Sequence, residues 1–403
     1  MTISPYPLNI ISVSILKLEN EVKHYAWGSS KYIPELLDIA NPESQPFAEL
    51  WMGAHPSAPS RIPSLSTDLL TYIERNHDKV FGNITSASSL PFLFKVLAAG
   101  APLSIQAHPN AQQAQKGFES ENRKGIPLTA PDRNYKDRNH KPEVLCALTP
   151  FWAMHGFRSV SDISKDLSYC SNSTSSKLLR TIEKDGLQAF FKTLMELENS
   201  EFTAFTEALI ETTRNSKDPR WGWLQRLYKA YPGDKGTIGP LFLHVQKLEP
   251  GEALYVPAGV LHSYLSGMGI ELMASSDNVL RGGLTQKHID IPELLSILKF
   301  EESNPSIIQP EKSVDGVFIY KTHAKEFQLS HICYAQASSP QLFDNAGPSI
   351  LINVGSTVVI ENTGISITMK KGESVFIEGK TRNFTVSTAR GNDVSLFRGA
   401  IPL

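Results

Sequence analysis

Apolar positions along this chain follow two different rhythms, and the change between them marks its organisation. From Ile15 to about Phe157, short β-rich runs such as Leu90–Leu97 are punctuated by Pro, Gly and Asn, the pattern of strands joined by loops. Between Val160 and Tyr231 the spacing becomes helical, with Leu178, Leu179, Ile182, Leu187, Phe190, Phe191, Leu194, Leu197, Phe202, Phe205 and Leu209 recurring among polar residues. Alternation resumes at Leu241–Val245 and continues from Gly251 to Ala274, and Ile291–Leu298 reads as a short helix introduced by Pro292. Beyond Asn304, Ser349–Glu361, Gly364–Met369 and Glu373–Ile377 alternate again between Gly-containing turns. The pattern predicts a mainly β protein with a helical insertion. Its β-rich unit is discontinuous, at 15–157 and 237–300, with the helical insertion at 158–236 and a smaller antiparallel β domain at 301–403.

Composition adds limits to this picture. A chain of 403 residues exceeds the usual size of a single core, so two or three packed modules are expected. With 41% hydrophobic and 20% charged residues and a net charge of -2, it offers no field for nucleic acid or anionic membrane. An anionic substrate must be caught by locally placed cations. Cys146, Cys170 and Cys333 are far apart and form no C-x-x-C pair, which fits reduced, buried thiols. The stretch Tyr6–Leu18 lacks a basic leader and a cleavage site, and no run approaches the roughly 18–20 apolar residues of a membrane span. A cytoplasmic monomer without nucleic-acid or membrane partners is expected.

Three segments carry the chemistry. Gly251–His262 reads as a strand, a Pro257/Gly259 turn and a histidine entering the next strand, and it resembles the second signature of cupin barrels, whose histidine points inward to a metal. A lone histidine in a hairpin more often satisfies a core contact, but this spacing favours the ligand. In Leu103–Pro109, period-two geometry puts Gln106 and His108 on one face of a strand. In Asn139–Glu143 a carboxylate follows a Lys-Pro pair, making Glu143 a candidate third ligand. Two oxygens and two imidazoles form a borderline-hard set suited to Zn²⁺, although spacing alone also admits Mn²⁺, Co²⁺ or Fe²⁺.

The segments YAWGS at Tyr25, LSIQAHPN at Leu103, NYKDRNHKPE at Asn134, PAGVLHSYL at Pro257 and ASSDNVLRGGLTQKHIDIPEL at Ala274 occur in order from about Leu16 to Phe300. Together they resemble type I phosphomannose isomerases, members of the cupin superfamily. The resemblance implies a cupin-type barrel or jelly-roll catalytic domain and one Zn²⁺ per chain on Gln106, His108, Glu143 and His262. It also implies interconversion of mannose 6-phosphate and fructose 6-phosphate, within mannose metabolism and the supply of GDP-mannose. Trp27, Lys95, Ser104, Lys141, Glu271, Asp277, Arg281 and Lys287 fall at positions that the family associates with its cleft. One departure stands out: the family's R-A-G-x-T-P-K is here Arg281-Gly282-Gly283-Leu284-Thr285-Gln286-Lys287, and the extra glycine and missing proline would loosen that loop. About a dozen residues precede the usual start and are expected to form a poorly ordered tail.

Aldose–ketose isomerisation needs a base and stabilisation of an enediolate. Arg281 suits the enediolate or the phosphate. Lys95 and Ser104 are candidates for phosphate, with Trp27 and Lys287 as further substrate contacts, and Glu271, Asp277, His140 and Lys141 are carried for proton transfer or ring opening. Trp27 serves equally well as cleft packing, and Glu49–Gly53 as a core or pocket-wall strand. His24, His55, His77, His155, His244, His288, His323 and His331 lack ligand spacing, and Arg133–Arg138 reads as a solvated, ion-paired loop. The competing functions are an iron cupin oxygenase and a non-catalytic sugar-phosphate-binding cupin. Lys371–Glu378 aligns with Pro250–Pro257, which predicts that the C-terminal domain is a degenerate, metal-free cupin repeat with Asn383 opposite His262.

Overall fold

The computed structural model describes residues 14–84, 87–304, 306–335, 340–388 and 392–402, so the expected N-terminal tail lies outside the described residues. The strands that matter for the site are β1 (Ile15–Leu18), β2 (Glu21–Lys23), β3 (Glu49–Met52), β4 (Phe92–Ala99), β5 (Ile105–Ala107), β6 (Glu143–Ala147), β7 (Phe151–Phe157), β8 (Leu243–Leu248), β9 (Ala253–Val256), β10 (His262–Ala274) and β11 (Leu280–Gly283). All but β1 form one ten-stranded sheet, with main path β8-β7-β10-β4-β3-β2. Its centre is β10, which pairs with β4, β5, β6 and β7.

One strand reaches so many partners because it bends. His262–Ser266 pairs with β7, while Gly267–Ala274 pairs with β4, and Gly269–Met273 also pairs with β6. The register shifts between Tyr264 and Ser266, and the next residue, Gly267, has φ +118°. A Cβ there would lie 2.7 Å from the Pro150 carbonyl oxygen, so only glycine serves at this bend.

The apolar back of this sheet, including Phe94, Val144 and Leu272, shares a core with Ile350, Phe376 and Phe397 of a second, seven-stranded antiparallel sheet. That sheet is built from C-terminal strands together with β1, which pairs with Ser374–Ile377. The first strand of the expected catalytic segment thus completes the C-terminal sheet. On the far side, Leu351, Val358, Val375, Phe384 and Leu396 fill the space towards a four-stranded sheet. The fold is mainly β, as expected from sequence, but neither large sheet closes into the expected barrel: among the described residues the edge strands β2 and β8 do not pair with each other.

The helical rhythm is realised as helices at Val160–Tyr169, Ser173–Met195, Asn199–Thr213 and Pro219–Ala230, the second kinked at Gly186. Their apolar stripe, from Leu178 to Leu209, packs with Phe157, Ile105 and Phe242 against the site sheet. A helix at Ala111–Arg123 was not foreseen from the apolar pattern; its signal is the reciprocal capping box between Asn110 and Gln113. The proposed repeat has matching turn glycines, Gly251 at φ +92° and Gly372 at φ +80°. Asn383 is exposed at the start of its strand, with its carbonyl accepting from Asn362. Cys146 and Cys170 are buried and Cys333 half-buried, all as free thiols.

His331 is stacked on Phe397 at 4.3 Å and bonded to Ser395. Burial lowers its pKa to about 4, whereas an unfolded histidine titrates near 6.5. Between these values the unfolded chain binds the extra proton, so this residue's contribution to stability falls as pH drops from 6.5 towards 4, by at most about 1.4 kcal/mol per pH unit. In urea unfolding at pH 7 and pH 5, a His331→Phe variant should lose less stability than the parent between the two conditions. Equal losses would show that this histidine is not held neutral.

Candidate metal centre and active-site cleft

The register of three short pairings assembles the site. Gln106 in β5 lies opposite His262 of β10 on one side and Arg281 of β11 on the other. Directly paired residues share a face, so an amide, an imidazole and a guanidinium project together. His108 follows β5 by one residue, and Glu143 opens β6 opposite Met273. A parallel logic sets Trp51, Lys95 and Glu271 side by side across β3, β4 and β10.

His108, Glu143 and His262 are all buried, and each offers a ligand atom within 4.8 Å of the others. His108 Nδ1 lies 2.7 Å from the Asn278 carbonyl oxygen, and His262 Nδ1 lies 3.1 Å from that of Val260. A carbonyl only accepts, so both rings carry their proton on Nδ1 and aim an Nε2 lone pair inward. Each Nε2 stands 3.4 Å from a Glu143 oxygen. Both Nε2 atoms and Glu143 Oε2 have no hydrogen-bond partner among the described residues. Burial lowers the His108 pKa to about 4, so at neutral pH its Nε2 carries no proton. Buried lone pairs facing one another call for a cation, and tetrahedral bonds of about 2.0–2.1 Å place neighbouring donor atoms about 3.3–3.4 Å apart. The donor set fits Zn²⁺, with Gln106 beside it on the cleft wall.

Through Glu143 this centre borders a cavity of about 570 Å³, also lined by Trp27, Lys95, Ser104, Gln106, Lys141, Glu271, Asp277, Arg281 and Lys287. Two charge regimes meet in it. Lys95 is buried, its Nζ lying 2.7 Å from Glu271 and 3.2 Å from Glu49, while Trp51 Nε1 donates to the second Glu49 oxygen. Burial opposes the Lys95 charge, but Glu271, Glu49 and Glu143 outweigh it and raise its pKa. Burial also raises the Glu271 pKa, against the pull of Lys95, and burial with Glu271 holds the Tyr264 phenol well above its usual value. Lys141 Nζ is 3.4 Å from Glu143.

Elsewhere in the lining, Arg281 and Lys287 have no carboxylate partner among the described residues, and Lys136 lines the same cleft. The Lys287 pKa is lowered by burial and then by repulsion from Arg281 and Lys136. The loop that the glycines were expected to loosen is tied down. Asp234, from the end of the helical insertion, accepts from the amides of Leu284 at 2.7 Å and Thr285 at 3.0 Å. A Cβ at Gly283, which has φ +136°, would lie 2.5 Å from Gly236 Cα, so one of the glycines is needed for this approach.

One expected site residue lies elsewhere. His140 bonds Glu326 at 2.7 Å and does not line the cleft, because in this extended segment Lys141 and Glu143 take the inward positions. The loop Arg133–Arg138 is also not simply solvated: Arg133 is buried, paired with Glu121 and bonded to Asn122. Residues missed from sequence include Tyr264, for which the period-two offset from His262 was a usable signal, and Lys136 and Tyr231, which gave none.

Residues 15–160 match the type I phosphomannose isomerase catalytic domain. The chain is 41% identical over 353 residues to mannose-6-phosphate isomerase of Salmonella typhimurium, covering 83% of this chain and 90% of that protein. The chain belongs to the type I phosphomannose isomerase family. Another family member, human mannose-6-phosphate isomerase, is 34% identical over 352 residues, covering 78% of this chain and 81% of its own. A zinc-bound crystal structure of mannose 6-phosphate isomerase superposes with a TM-score of 0.88 at 38% identity, covering 97% of this chain and all of that one. The Salmonella typhimurium structure bound to fructose 6-phosphate and zinc gives 0.88 at 39% identity with the same coverage.

If Asp234 holds the family's arginine–lysine loop, Asp234→Ala should speed hydrogen exchange at the Leu284 and Thr285 amides by about tenfold or more, with β4 and β10 unchanged. Unaltered exchange at both amides would mean that the loop is held by something else.

Proposed function

We propose that this chain is a zinc-dependent aldose–ketose isomerase that interconverts mannose 6-phosphate and fructose 6-phosphate by proton transfer through an enediol. The observation that carries this reading is a trio of buried metal-ligand atoms without hydrogen-bond partners among the described residues, one of them on Glu143, which lines the same cleft as cations that lack carboxylate partners. His108, Glu143 and His262, with Gln106, would hold the zinc, which supplies polarisation of the sugar's carbonyl and hydroxyl oxygens when bound. Its relatives named mannose-6-phosphate isomerase support the assignment.

The charge pattern orients the substrate. Arg281, Lys287 and Lys136 receive the phosphate, since an unpaired cation gains most from a dianion, and Ser104 can donate to it. Lys95 is already neutralised by two carboxylates and holds Glu271 in place rather than anchoring phosphate. With the phosphate on these cations, Lys141, 3.4 Å from Glu143, and Glu271 are left to serve C1 and C2 and move the proton. Asp277, at the rim and 3.4 Å from His55, serves ring opening, and Trp27 walls the sugar. We take the enzyme to be a cytoplasmic monomer with one zinc, in which 15–157 and 237–300 form the catalytic unit, 158–236 its helical insertion and 301–403 a metal-free cover. Among the described residues no helix is long and apolar enough to cross a membrane. The oxygenase and the non-catalytic reading gain no observation in their favour.

Removing one ligand should empty the centre. His262→Ala is expected to purify without stoichiometric zinc and with isomerase activity reduced by orders of magnitude in a coupled assay, and chelation should do the same to the parent reversibly. Full turnover by a demonstrably metal-free protein would overturn the assignment. Arg281→Ala should keep its fold and its zinc while kcat/KM drops by roughly 10²-fold. Loss of zinc together with folding would instead make Arg281 structural.

A further inference from the structure

The loop between β10 and β11 carries Asn278, a fully buried residue in no regular ladder, and it occupies a junction. Its backbone oxygen receives the His108 Nδ1–H at 2.7 Å. Its side-chain oxygen accepts from the amides of Lys136 at 2.7 Å and Asp137 at 3.1 Å. Its side-chain nitrogen donates to the carbonyl oxygens of Asp137 and Asn139, both at 2.9 Å. The amide thereby uses its two acceptor and two donor positions on one neighbouring loop.

We infer that Asn278 is a positioning residue for the metal centre, acting through His108. The imidazole of His108 is oriented by one backbone oxygen, and that oxygen has no strand partner to fix it. What fixes it is the grip of the Asn278 side chain on the 136–139 segment, which runs directly into Lys141 and Glu143. A single side chain therefore sets the direction of one metal ligand and the entry of the segment that supplies another. Partners of this kind around metal-ligating histidines typically change metal affinity by 10–100-fold.

The inference rests on the zinc reading above, and the test separates the two. Zinc affinity is measured by competition with a chromophoric chelator, alongside the melting temperature of the metal-free protein, for the parent, Asn278→Ala and Asn345→Ala. Asn345 is a matched control, a buried asparagine of the C-terminal sheets bonded to Glu378, Thr381, Ser349 and Arg398. Both variants should melt earlier, but only Asn278→Ala should bind zinc about 10–100-fold more weakly, with an altered visible spectrum when Co²⁺ replaces zinc. Zinc affinity within twofold of the parent, whatever the melting temperature, overturns the inference. Should the alanine variant fail to fold, the isosteric Asn278→Asp takes its place. It keeps the oxygen that accepts from Lys136 and Asp137 but turns a second oxygen towards two carbonyls, and it should weaken zinc several-fold; unchanged affinity again overturns the inference. Failure of the parent itself to bind zinc would refute the proposed function rather than the role of Asn278.

Discussion

Three buried atoms with lone pairs directed at one another, two imidazole nitrogens and a carboxylate oxygen, set the terms for the rest of this molecule. Left alone they are costly, because each is cut off from water and none can donate to the others. The protein holds them there by spreading their supports over several elements: β5 and β10 for the histidines, β6 for the carboxylate, and backbone oxygens at Val260 and Asn278 for the ring tautomers. The bend of β10 at Gly267 follows from the same demand, since the strand must present His262 and Tyr264 beside β7 and then run on to carry Glu271 beside Lys95. The second sheet covers the apolar back of the strands and keeps this arrangement stiff.

Charge in the cleft is divided rather than pooled. Lys95 and Lys141 lie beside carboxylates, so they orient acids instead of advertising positive charge. Arg281 and Lys287 stand without acids among the described residues, and burial weakens their hold on protons. With an overall charge of -2, the chain has no long-range pull on a phosphate, and this short-range separation of paired from unpaired cations does the sorting.

Local signals nominated the candidate ligands. Gln106 lies in β5 with His108 just beyond it, and His262 follows the Pro257/Gly259 turn, so strand spacing and turn chemistry single them out. The helical insertion was visible in the same way. His140 shows the limit of that method: residue type nominated it, but only tertiary contact with Glu326 reveals that it faces away from the chemistry. Asp234 and Asn278 were illegible for a different reason. Each acts on a segment about 50 or 140 residues distant in sequence through side-chain bonds to backbone amides, and such bonds leave no periodic trace. Barrel closure was likewise beyond reach, because alternation specifies which face of a strand is buried and not which edges meet.

The position of β1 has a consequence for how the protein is made. Ile15–Leu18 leaves the ribosome about 360 residues before its hydrogen-bonding partner, Ser374–Ile377. Until that partner is made, the strand remains an unpaired apolar edge, and the seven-stranded sheet against which the site sheet packs is unfinished. Removing either segment would therefore strip the same sheet, so these two distant stretches behave in folding as one inseparable unit.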